Sequence, residues 1–227
     1  MILTDFGRTL NTRPFNGQAQ KAKPAAKMNF QTPAWDLWLF EQANMVWRHP
    51  ALDWLMPVVS GDALWVVLLC VFLIFFLYKK DRKRVLLILA LAAAIGLSDM
   101  SANIFKDAVA RVRPLNQIAE TWLHEDGKWQ QRPADFKRQK QDGTSYPSSH
   151  AANAAAATCL VFIFIPGTRK WIWIIPLVIG YSRLYLGKHF PADIVAGWIF
   201  GLGPGLICAW LYHLTLTRLP KWIPEKR

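Results

Sequence analysis

The apolar residues of this chain come in blocks, and the blocks limit what it can fold into. Ala63 to Tyr78 (with a start as early as Leu55 allowed), Val85 to Phe105, Ser149 to Ile165, Trp171 to Leu186 and Asp193 to His213 are each dominated by aliphatic, aromatic or small residues. A helix needs about 20 such residues to cross a bilayer. The fold they predict is all-α: an integral-membrane helical bundle of about five transmembrane helices. Residues 34–48 mix Trp35, Trp38 and Trp47 with Asp36, Glu41 and Arg48, which suits an N-terminal interfacial helix lying on the membrane. Helix docking in a soluble core would use the same residues.

Residues 1–30 are polar and basic and predict a disordered tail without the apolar core of a signal peptide. Residues 31–218 form the membrane-embedded domain, and 219–227 a second basic tail. The formal net charge of +12 would suit nucleic acid in a soluble protein. Here the basic residues flank apolar blocks, which fits anionic lipid and predicts no nucleic-acid partner. Cys70, Cys159 and Cys208 all lie inside apolar blocks. They read as reduced fillers, since their spacing is neither that of a metal site nor that of a disulfide framework.

Positive residues mark cytoplasmic loops. Lys79–Arg84, Arg169–Lys170 and the C-terminal tail therefore point inward, which puts residues 106–148 and 187–192 together on the outer side. The basic residues before Met28 vote the other way. The hydrophilic stretch 106–148 reads as a lid or binding loop, or as a disordered connector over its middle part.

Three clusters carry chemistry. Lys106 is followed after six residues by Arg113-Pro114. A helix continuing from the second block would bring both cations to one face, and Pro114 would end it with Arg113 extended. Pro147-Ser148-Ser149-His150 opens the third block. Ser148 and Ser149 are N-cap candidates, and the free N–H groups of a helix start bind anions. Tyr181 to Val195 holds Arg183, His189 and Asp193, with Pro191 suited to the first turn of a helix. A carboxylate holding one ring nitrogen would leave the other free as nucleophile or base. Each cluster alone has an ordinary structural reading as a headgroup anchor, a helix cap or an interfacial histidine. Together, on one side of the membrane, they offer cations, a helix start, two imidazoles and a carboxylate, an inventory suited to phosphoryl transfer.

In order and spacing these clusters resemble the three signature motifs of the type 2 phosphatidic-acid phosphatase superfamily, which also includes class A acid phosphatases and vanadium haloperoxidases. The resemblance runs from the second block to the fifth. It implies that His189 attacks phosphorus to form a phosphohistidine, that Asp193 orients it, and that His150 protonates the leaving oxygen. It further implies that Lys106, Arg113, Ser148, Ser149 and Arg183 bind the phosphate oxygens, without metal or other cofactor. Ser149 stands where the family usually has Gly, so its backbone must suit a residue with a side chain. Asp99 is expected to serve helix packing. His124 and His213 have no motif support.

The resulting expectation is a phosphatase of the bacterial inner membrane, its site facing the periplasm, acting on a membrane lipid phosphate or diphosphate. Undecaprenyl diphosphate and lipid A lead among the substrates, with phosphatidylglycerophosphate behind them. No obligate protein partner is expected beyond the bilayer. Rival readings are a lipid phosphotransferase, a haloperoxidase (disfavoured by the membrane blocks) and a non-enzymatic lipid-binding or transport protein.

Overall fold

A computed structural model of the chain describes residues 31–61, 81–140 and 142–218, with Cys70, Ile74 and Tyr78. The two basic tails and nearly all of the first apolar block lie outside the described residues. In chain order the elements are α1 (Ala34–Glu41), a π-helical turn (Gln42–Val46), α2 (Pro50–Ser60), α3 (Arg82–Val109), β1 (Trp122–Glu125), β2 (Lys128–Gln131), α4 (Ser149–Phe164), α5 (Ile174–Tyr185) and α6 (Pro191–Arg218). Two stretches, Arg82–Lys106 in α3 and Pro191–Arg218, are long and apolar enough to cross a bilayer. α4 and α5 are apolar but shorter. Of the five expected spans, two therefore reach crossing length among the described residues.

Helices α3, α4 and α6 pack together because small residues let their backbones approach. The clearest case is Gly201, where a Cβ would sit 2.0 Å from the carbonyl oxygen of Ala152 on α4. Gly203 differs, since nothing lies within 4 Å of a Cβ there. It is not one of the contact glycines. At one end of this trio Leu87, Ala94, Ala156, Leu160, Cys208, Ala209 and Tyr212 form a buried apolar cluster. Tyr212 closes that end by donating its hydroxyl to the carbonyl of Lys83 at 3.0 Å. Arg82 to Arg84 and Arg218 belong to this end. The termini carrying Lys106, Ser149 and Asp193 belong to the other. The 28 residues of α6 separate the two ends by about 42 Å.

Residues 106–148 depart from the all-α expectation. β1 and β2 form an antiparallel hairpin with Glu125 opposite Lys128. Asp126 and Gly127 both have positive φ, 51° and 75°, as a two-residue turn matched to strand twist requires. The hairpin is tied down rather than being a disordered connector. Asn44 donates its amide to the Trp122 carbonyl at 2.9 Å and accepts from the Trp122 N–H at 2.8 Å. The Arg48 guanidinium lies 4.2–4.9 Å from the ring centroids of Trp122, Trp129 and Tyr185, and it pairs with Asp53. The N-terminal helix is two-faced in an unexpected sense. Trp35, Trp38 and Trp47 are exposed, whereas Asp36, Phe40, Ala43 and Asn44 are buried. Its polar residues face the protein and its tryptophans face out, as a membrane interface favours.

Candidate active site

α5 ends at Tyr185, and the chain turns through Gly187 at φ 68°. Glycine is needed there on two grounds: the backbone is left-handed, and a Cβ would meet Thr121 and Trp122 at 2.8 Å. The turn delivers His189 to the start of α6. Pro191 opens that helix, as its fixed φ and missing N–H favour, and Asp193 falls in the first turn. Asp193 is fully buried and saturated with donors. Its Oδ2 accepts from Ser145 Oγ at 2.6 Å and from the Phe190 N–H at 2.9 Å, and its Oδ1 accepts from Arg111 at 2.6 Å.

The expected direct bond from Asp193 to His189 gives way to a different one. His189 Nδ1 lies 2.8 Å from the backbone carbonyl of Ser145 and 3.7 Å from Asp193 Oδ2. A carbonyl oxygen can only accept. The contact therefore places the neutral ring's proton on Nδ1 and leaves Nε2 with its lone pair. Asp193 adds its charge at longer range and holds Ser145 in place.

The cationic cluster converges by another route than the expected helix face. α3 stops at Val109, and Ala110 adopts a left-handed conformation, φ 50°, that reverses the chain. Arg113 then follows in extended geometry, φ −70° and ψ 148°, as the residue before a proline should. Gly143 N–H donates to the Ala110 carbonyl at 2.9 Å, and Ser145 N–H to the Arg111 carbonyl at 2.8 Å. These bonds run the returning chain alongside. Lys106 stays on α3 and donates to Ser149 Oγ at 2.6 Å and to Asn103 Oδ1 at 2.8 Å. Asn103 donates in turn to Asp99 at 3.0 Å, so Asp99 backs the Lys106 chain in addition to any part in helix packing.

Ser148 caps α4, as its sequence position suggests. Its Oγ accepts from the Ala151 N–H at 3.5 Å, and its own N–H donates to the Asp193 carbonyl at 2.9 Å. Ser149 is the first helical residue, a conformation any side chain tolerates, so the expected Gly is not required. His150 in the same turn lies within electrostatic reach of His189, Arg183, Lys188 and Lys106. Arg183 is buried near the end of α5 and donates to Ser60 Oγ at the end of α2. All eight residues singled out from the sequence thus meet at one end of the bundle.

His189 lies in the connection between α5 and α6, and its pKa is pushed down to about 4. Burial is the main cause, because a dry site disfavours the charged ring. The Asp193 contact pulls the other way, and the Arg183 and Arg113 charges add to the lowering. Burial likewise lowers Arg113 from its ordinary value. At neutral pH His189 is an uncharged imidazole with a bare nitrogen.

Sequence reasoning missed Ser145, Arg111, Asp36 and Ser60. Ser145 contributes a backbone carbonyl, which leaves no trace in the sequence. Arg111, two residues before Arg113, was a readable signal, as a second cation in a short connection. In the sequence Asp36 reads as part of the polar side of an interfacial helix, yet it is fully buried and 2.5 Å from Arg111.

The PAP2 superfamily pattern matches residues 87–218. An undecaprenyl-diphosphatase of Sulfolobus acidocaldarius is 32% identical over 62% of this chain and 59% of its own length. A lipid A 4'-phosphatase of Porphyromonas gingivalis is 27% identical over 82% of this chain and 75% of its own. The crystal structure of LpxE from Aquifex aeolicus superposes with a TM-score of 0.58 at 25% identity, covering 79% of this chain and 97% of that one. The chain belongs to the PAP2 superfamily. Within it, the relatives just named are phosphatases of lipid-linked phosphates, and two helices of this chain are long and apolar enough to cross a membrane.

Proposed function

We propose that this protein hydrolyses a lipid-linked phosphate monoester or diphosphate through a phosphohistidine on His189, at the outer face of a bacterial inner membrane. The observation that carries the reading is the 2.8 Å contact of His189 Nδ1 with the Ser145 carbonyl, which leaves Nε2 unprotonated on a ring within electrostatic reach of Arg183 and Arg113. In the first step Nε2 bonds to phosphorus as the bond from phosphorus to the lipid oxygen breaks, and His150 gives that oxygen its proton. In the second, water attacks the phosphohistidine and yields its proton to His150. The N–P bond then breaks, releasing inorganic phosphate and neutral His189. Lys106, Arg113, Arg183, the Ser148 hydroxyl and the Ser149 N–H hold the phosphoryl oxygens, and the positive end of α4 faces the same charge.

Two features support the outward orientation. The end away from the site carries Arg82, Lys83, Arg84 and Arg218, as a cytoplasmic face does. The tryptophans of α1 lie on the site's own side. The matched relatives act, by name, on undecaprenyl diphosphate and lipid A, and these two are the proposed substrate classes. Phosphate release from purified undecaprenyl diphosphate, lipid A and phosphatidylglycerophosphate in detergent tests the reading. Turnover of at least one supports it, and release from none of them contradicts it.

A further inference from the structure

Beneath the phosphate pocket lies a second charged layer that the reaction steps above leave unused. Arg111 is 3% exposed and Asp36 is 0% exposed. The guanidinium spans two carboxylates, donating to Asp193 Oδ1 at 2.6 Å and to Asp36 Oδ2 at 2.5 Å. It also reaches Thr32 Oγ1 at 3.2 Å and lies 4.1 Å from the ring centroid of Phe190. Asp36 has a second task. Its Oδ1 accepts from the Ala192 N–H at 2.7 Å, so the N-terminal helix caps the helix that carries Asp193. Phe40, one turn on from Asp36, packs its ring 5.4 Å from that of Phe190.

Removing two carboxylates and a guanidinium from water is unfavourable and is offset only by good geometry. An apolar contact could have docked α1 without that cost. We propose that Asp36 and Arg111 are positioning residues, which fix the orientation of Asp193 and set the charge it presents to His189. α1 is then part of the catalytic apparatus and not a membrane anchor alone. The inference rests on the assignment of His189 as nucleophile.

The other groups facing His189 come from every neighbouring element. Arg183 comes from α5, Arg113 from the connection after α3, His150 from α4, and Asp193 from α6. Lys188 and Lys106 act on His150. Against this constant background, the two positioning residues should act in opposite senses. In wild type the triplet Asp36, Arg111 and Asp193 sums to one negative charge. Asp36→Asn keeps the shape and the Ala192 acceptor but makes the sum zero, so the His189 imidazolium loses support. Arg111→Gln makes it two negative charges, so the imidazolium gains support. The double variant restores one.

The test is the pH dependence of kcat/KM for Asp36→Asn, Arg111→Gln and the double variant in detergent. Vanadate affinity and the melting midpoint serve as folding controls. The acid limb is expected to fall in Asp36→Asn and to rise in Arg111→Gln, by about one pH unit each at an effective dielectric near 20. It is expected to return to the wild-type position in the double variant. In Asp36→Asn, kcat should drop about tenfold or more with KM nearly unchanged, since Asp193 acts on the transition state. If Arg111→Gln does not fold, Asp36→Asn and the double variant still decide. Limbs that stay in place, or losses that simply add in the double variant, would overturn the proposal. Failure of the wild type to release phosphate would instead overturn the functional reading itself.

Discussion

At His189 the tautomer and the charge state have separate causes. A backbone carbonyl fixes the tautomer, and burial keeps the ring neutral. Because its folded pKa of about 4 lies below the ordinary imidazole value of about 6.5, the folded chain refuses a proton that the unfolded chain accepts. Stability from this group is thus full above about pH 6.5 and falls between there and about pH 4. Activity should follow the folded value, with the acid limb of kcat/KM near pH 4. A limb near 6.5 would show that His189 is hydrated and charged in the free enzyme. Ser149 gives a second prediction at this scale. Its hydroxyl accepts from Lys106, so Ser149→Gly should change kcat/KM about two- to tenfold, the worth of one hydrogen bond. Lys106→Met should cost about 10²–10³-fold, as for loss of a charge-stabilising donor. Equal losses in the two variants would mean that Ser149 does more than place Lys106.

Among the elements, the glycines of α6 decide how closely it can lie on α4. Gly201→Ala would drive a Cβ into the Ala152 carbonyl and should cost about 1–3 kcal/mol. Gly203→Ala meets open space and should be neutral or stabilising, because Ala is the better helix former. Melting midpoints in one detergent separate the two, and equal midpoints would contradict the packing described.

The same scale shows why part of the structure was legible in the sequence. Lys106, Arg113, His150, Arg183, His189 and Asp193 stood out because charge and imidazole are scarce at the ends of apolar runs. Pro114, Pro191 and Ser148 marked the boundaries through their local backbone chemistry. Asp126-Gly127 announced a hairpin that was there to be read. The reversal at Ala110 was not announced, since alanine has no preference for a left-handed conformation. The Asp36–Arg111–Asp193 layer joins residues 75 and 82 positions apart, a distance at which no periodicity connects them.

At the scale of the whole molecule, the architecture separates a basic end from a reacting end. The docked hairpin stands at the reacting end. Lys128, at its tip, is exposed. In a Cys70→Ser background, Lys128→Cys should react with an impermeant thiol reagent in intact spheroplasts. Labelling only after lysis would reverse the proposed orientation. In the proposed reaction the charge that stabilises the phosphoryl group comes from Lys106, Arg113 and Arg183, which are covalently part of the protein. Turnover should therefore survive excess chelator, whereas a loss reversed by added Mg²⁺ would contradict that reading.

In the proposed reaction phosphorus is transferred to His189 before it reaches water. The His150→Ala variant, supplied with a phosphorus-labelled substrate whose leaving group needs no proton, should accumulate the covalent intermediate because its breakdown lacks a base. Rapid quenching and peptide mapping should find an acid-labile label on His189, and the label should be absent from a His150→Ala/His189→Ala double variant. Label on another residue, or undiminished turnover by His189→Ala, would contradict the account.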